Sequence, residues 1–172
     1  MAEKKVAPYG SWQSPITSDL IVKGSIGVAA TMLDGDDIYW IEMRPAEGGR
    51  CVIVRRTPDG ETKDVTPKPF NARTRVHEYG GGEYTVADGT VYFSNFDDQR
   101  LYKQSTDSAP QPITPAVERR YADPLFDRER KRIIAVREDH TGAGDVSRYA
   151  RVVLKQRDIG AQRRASALLA HA

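Results

Sequence analysis

Cysteine is almost missing from this chain of 172 residues: Cys51 stands alone, which excludes an internal disulfide and any multi-cysteine zinc site. Long apolar runs are missing too. No stretch approaches the roughly 18 apolar residues that cross a bilayer, and the opening Met1 to Val6 (MAEKKV) has no apolar run after its charges, so no signal peptide is expected. Neither a membrane partner nor a cofactor is expected, and the expected compartment is the cytoplasm. A strong charge of one sign is also lacking. The net charge is +2, yet residues 145–172 hold six Lys/Arg against two Asp/Glu, which leaves the first 144 residues at −2. The basicity belongs to the tail, so no nucleic-acid partner is expected for the body.

Strand-forming residues and turns are plentiful. Eight Tyr outnumber four Phe, Val and Thr are frequent, and 14 Gly and ten Pro are spread along the chain. Aromatic and β-branched side chains pack well on a pleated surface, and many short strands need many turns. Three segments share one layout. The first turns at Asp34-Gly35, runs through Asp37–Ile41 and Cys51–Arg55, turns again at Pro58-Asp59-Gly60, and closes on Val65-Thr66-Pro67. The second runs Tyr84–Val86, Asp88-Gly89, Thr90–Phe93 and Leu101–Lys103, and closes on Ile113-Thr114-Pro115. The third starts at Tyr121–Asp123, turns over Asp127–Arg130, and continues through Arg132–Arg137.

Thr66 and Thr114 lie 48 positions apart, Tyr39 and Tyr92 53, and Tyr92 and Ile134 42. A loose period of about 40 to 50 residues with several strands per unit is the mark of propeller blades. One blade cannot cover its own apolar faces, so neighbours stack. The alternative is a β-sandwich with accidental spacing. Rings close with about four to eight blades, and Gly27 to Gln156 holds about three. The expected fold is therefore all-β, a partial β-propeller of about three blades. An N-terminal segment (1–25) precedes the incomplete propeller (26–157), and a divergent Ala- and Arg-rich tail (158–172) follows, helical or without regular structure.

His77-Glu78-Tyr79-Gly80-Gly81-Gly82, together with the opening Ala7-Pro8-Tyr9-Gly10-Ser11-Trp12-Gln13-Ser14-Pro15-Ile16-Thr17, resembles the N-terminal propeller of bacterial prolyl oligopeptidase-family serine peptidases of the dipeptidyl aminopeptidase or acylaminoacyl-peptidase type. Leu33–Trp40, Val91–Phe96 and Val136–His140 match in the same order, so the likeness runs from about residue 7 to residue 145. The resemblance implies a peptide hydrolase in which the propeller restricts access to a separate α/β-hydrolase domain carrying Ser, Asp and His. It stops at about Asp145, as a truncated or frameshifted reading frame would make it stop.

The hydrolase chemistry itself has no foothold in these residues. A nucleophilic Ser on the sharp strand-to-helix turn of such a domain is written Gly-x-Ser-x-Gly, and no such string occurs. Gly24-Ser25-Ile26-Gly27 lacks a spacer and reads as a turn before a strand. Only His77, His140 and His171 are available as a base. No catalytic residue and no metal ligand is assigned. Asp34, Asp36 and Asp37 only imitate the start of a calcium loop, because the twelfth position is Pro45.

The candidate substrate contacts are Arg75, His77, Glu78 and Tyr79, beside a Gly-rich kink that lets backbone approach something else. A peptide substrate of the full-length relative would offer its amino end to Glu78 and a carbonyl or carboxylate to an Arg. The competing reading pairs Glu78 with an Arg inside the propeller and uses the glycines for blade packing. A rival function is a non-enzymatic β-domain that binds a protein or peptide by strand addition at an exposed edge, and the same open blade edges would allow self-association, even closure of a ring from several copies.

Overall fold

Period-2 patterning sets the architecture. In Asp37–Arg44 (β2) Tyr39 and Ile41 are buried while Ile38, Trp40 and Glu42 are half-buried on the other side, as successive strand side chains point to opposite faces. The computed structural model describes residues 6–11, 13–105, 107–142 and 148–155, the last stretch and residue 22 by backbone only. Trp12 of the opening string and the expected tail at 158–172 lie outside the described residues.

Strand β2 is the second of four in an antiparallel meander with Gly27–Asp34 (β1), Arg50–Arg56 (β3) and Thr62–Asp64 (β4). A second meander repeats this order with Tyr84–Ala87 (β5), Thr90–Ser94 (β6), Leu101–Ser105 (β7) and Gln111–Pro112 (β8). The third sheet joins Arg119–Asp127 (β9), Arg132–Asp139 (β10) and Arg148–Lys155 (β11). A short helix, Ser18–Val22 (α1), precedes them, capped by the Thr17 hydroxyl accepting from the Leu20 amide. The three sheets follow one another as blades, with β5 lying against both β1 and β9.

The second sheet is buried on both faces. Toward the first sheet, Val91, Phe93 and Tyr102 join Tyr39, Ile41, Ile53 and Tyr84 in one apolar cluster. Toward the third, Tyr92 and Leu101 join Ile113, Tyr121, Ile133 and Ala135 in another. Alternation within β6 thus serves two interfaces, with Phe93 stacked on Tyr102 at 5.8 Å and Tyr92 on Phe126 at 5.6 Å. The first sheet has no neighbour on its other side among the described residues, and Val28 and Leu33 of β1 stay 66% and 69% exposed.

The repeated closure has a physical basis. The buried Thr66 hydroxyl accepts from the Ile53 amide at 2.9 Å, and the buried Thr114 hydroxyl accepts from the Leu101 amide at 3.0 Å. Each Thr thereby continues the outer ladder where the strand ends, and the following Pro, lacking an amide hydrogen, stops it. Arg50 donates to the Thr66 carbonyl at 3.3 Å and Arg100 to the Thr114 carbonyl at 2.8 and 2.6 Å.

At the opposite end, Asp34 does more than turn a strand. Its carboxylate accepts from the amides of Asp88 and Gly89 at 3.2 and 2.7 Å, and Arg128 bridges Asp34 to Asp88. One first-hairpin turn from each blade meets there. Those bonds, led by the Gly89 amide, outweigh the opposing effect of burial and hold the Asp34 carboxyl below its usual range.

Candidate functional site

Residues 65–83 carry the chain from the end of the first blade to the start of the second. Part of this link behaves like a strand: Ala72, Thr74 and Val76 are buried, and Arg73, Arg75 and His77 face outward. It is laced to the β6–β7 turn. Arg73 donates its amide to the Ser94 carbonyl at 3.0 Å, and the Arg75 amide to the Gln99 side chain at 2.7 Å. Both guanidinium groups sit over the Phe96 ring, at 5.3 and 5.2 Å, close enough for attraction to the ring face.

The link then reverses. Glu78 donates its amide to the Arg75 carbonyl and Gly80 to the Val76 carbonyl, both at 2.9 Å. His77 and Glu78 take φ of +58° and +66°, two consecutive non-glycine residues in the left-handed region, each at a cost of about 1–3 kcal/mol. The turn lifts His77, Glu78 and Tyr79 out of the surface, with the His77 and Tyr79 rings stacked at 5.8 Å and Tyr79 87% exposed.

The glycines fit a packing role. A Cβ on Gly82 would stand 2.8 Å from Asp123 Oδ1, and one on Gly81 3.0 Å from Ala122 Cβ. Gly82 exchanges hydrogen bonds with Asp123, donating to its carboxylate at 2.7 Å and accepting from its amide at 2.8 Å. The Gly-rich string is thus where blade two meets the inner strand of blade three.

The four expected contact residues are neighbours in sequence, but Arg75 and Tyr79 line two different recesses, and His77 and Glu78 line neither. Arg75 lines a cleft of about 590 Å³ between the second and third blades, with Arg100, Glu118, Arg119, Arg120 and His140. Glu78 forms an ion pair with Arg120, which also donates to the Arg75 carbonyl at 2.8 Å. Behind them the buried Glu138 carboxylate lies 3.5 Å from Arg120 and 3.2 Å from His140 Nε2. Tyr79 faces the other way. It lines a recess of about 370 Å³ against the first sheet, together with Arg73, Glu83, Ile41, Met43 and Cys51. Burial raises the Glu83 carboxyl above its usual range, and Arg73 opposes that shift.

Sequence reasoning did not find Arg120, Glu138 or Glu83. The first two sit opposite each other across β9 and β10, a pairing that needs the register. Glu83 lies one residue past the glycines and looks like any solvated carboxylate. Among the described residues no group of three or more His, Cys, Asp or Glu is placed to hold a metal ion, and no helix is long and apolar enough to cross a membrane.

Antiparallel meanders stacked as consecutive blades, joined on one face by a charged link, define an open arc of a β-propeller. Among solved structures the chain is similar to the crystal structure of a puromycin hydrolase, at 35% identity and a TM-score of 0.76 over 90% of this chain and 26% of that one. A serine-to-alanine mutant of puromycin hydrolase complexed with PGG matches at 36% identity and 0.76, over 88% and 25%. A puromycin-hydrolyzing peptidase of Mycobacterium tuberculosis matches at 33% and 0.75, over 90% and 26%. The chain spans about a quarter of the length of these structures. No protein-family model matches it, and no curated protein does.

Proposed function

We propose that the chain is the N-terminal propeller portion of a prolyl oligopeptidase-family serine peptidase, the part that restricts access of peptides to a catalytic domain lying outside these 172 residues. The observation that carries this reading is identity of 33–36% sustained over 88–90% of the chain with puromycin-hydrolysing enzymes. Such likeness extends well beyond shared architecture.

The link supplies the working surface. A turn that holds two non-glycine residues in the left-handed region, and exposes Tyr79 almost fully, is costly for packing alone. Arg75, His77, Glu78 and Tyr79 are the residues this reading puts against substrate. Glu78 is already paired with Arg120, so its part is to share that charge with an incoming peptide amino group. In the longer protein, Glu78→Ala is expected to raise KM for peptides with a free amino end several times more than for blocked ones. Equal effects on the two substrates would contradict the role of Glu78.

A further inference from the structure

Gln104 is a polar residue on an apolar face. The register of β6 and β7 sets it opposite Val91, as it sets Tyr102 opposite Phe93, so the four side chains share the face that meets the first sheet. Only 6% of Gln104 is exposed. Its amide nitrogen donates to the Val65 carbonyl at 2.6 Å. That bond fixes the orientation of the amide, because a carbonyl can only accept and Oε1 has no hydrogen to offer it. Oε1 is therefore turned away from Val65, and among the described residues no donor meets it. A buried acceptor left unmet is costly, and a ligand that brings a donor relieves the cost.

Space for such a ligand lies beside it. Gln104 lines a pocket of about 170 Å³ between the first two blades, in which Tyr39 and Val91, each 1% exposed, form the buried wall. Lys63 and Asp107 stand at its exposed side and pair with each other across the two blades at 2.5 Å. The other charged side chains of the lining are matched as well: Arg55 pairs with Asp37 and Asp64 with Arg44, each at 2.6 Å. With its charges balanced, the pocket suits a neutral ligand. An apolar cavity of about 150 Å³ takes up benzene, so this one has room for a six-membered ring and one further atom. That atom has to carry the hydrogen that Gln104 Oε1 lacks. We propose that the pocket is a binding site for a small neutral aromatic hydroxyl compound, phenol being the simplest, with its ring against Tyr39 and Val91 and its hydroxyl donating to Gln104 Oε1. The site is built from blades one and two alone and does not rest on the role proposed for the link.

The test is a titration of the full 172-residue chain with phenol and, separately, with anisole, the methyl ether that keeps the ring and has no hydrogen to donate. Binding is followed by NMR through the side-chain amide of Gln104 and the methyl signals of Val91. Phenol is expected to saturate below roughly 10 mM and to move both sets of signals. Anisole is expected to bind about tenfold more weakly, the scale of one hydrogen bond to a buried acceptor. Gln104→Met, which keeps the length and removes the acceptor, is expected to weaken phenol by a similar factor and to bring the two affinities together. Signals that phenol does not saturate, as when the pocket takes water only, would overturn the site. So would equal affinities for phenol and anisole, or a preference for phenol that survives in Gln104→Met. Should Gln104→Met fail to fold, the unmodified chain decides: a tenfold preference for phenol supports the site, and equal binding of the two overturns it.

Discussion

Glu83 carries a cost that can be measured without any ligand. Burial raises its carboxyl pKa in the folded chain, with Arg73 opposing. A raised acid holds its proton more tightly in the folded than in the unfolded state. Between the ordinary carboxylate value and the raised one, the folded chain therefore binds more protons, and stability falls as pH rises through that window. Glu83→Gln removes this penalty. Its melting temperature is expected to exceed that of the unmodified chain at about pH 7 and to equal it at about pH 3, where both states are protonated. A lower melting temperature at the higher pH would mean that Glu83 is a structural anchor.

Strand by strand, the repeat explains why so much was legible in the sequence. The expected segments at 37–41, 51–55, 84–86, 90–93, 101–103, 121–123 and 132–137 all fall on strands, because alternation and flanking turn residues report a buried face directly. The closures at Thr66 and Thr114 were visible as a recurring string, and the structure gives them a hydrogen-bonding task. Strands β4 and β8 were not legible, being three and two residues long and half-buried or exposed. Bulges were equally hidden. Ala30 and Asp123, each four residues before a turn carboxylate, take φ of +51° where the β1–β2 and β9–β10 registers shift. Both bulges reach the second blade: the Ala30 carbonyl accepts from the Tyr84 hydroxyl at 2.6 Å, and Asp123 pairs with Gly82.

The closure itself can be tested at this scale. Thr114→Val keeps the shape but leaves the buried Leu101 amide without its acceptor, so a loss of about 1–3 kcal/mol in unfolding free energy is expected, read by denaturant titration. A change within about 0.5 kcal/mol would mean that the hydroxyl is dispensable to the blade.

Among the described residues, three sheets make an open arc. Two apolar interfaces surround the second blade, one on each face, while the first sheet leaves Val28 and Leu33 exposed. The geometry matches the packing reading of the Gly-rich string, and the substrate-contact reading is a proposal. The glycines pack blade two on blade three, and Glu78 pairs with Arg120, while the same turn pushes Tyr79 toward one recess and leaves Arg75 in another. That division was beyond the sequence, because it depends on which face of a strand-like link each residue takes and on which blade stands opposite. The proposed peptidase parentage rests on ordered strings and on likeness to about a quarter of each puromycin-hydrolysing structure. It is tested most directly by reading the genomic DNA past the codon for Ala172 in all three frames. The account predicts further blade-length repeats followed by a Gly-x-Ser-x-Gly turn, and unrelated sequence in every frame would contradict it.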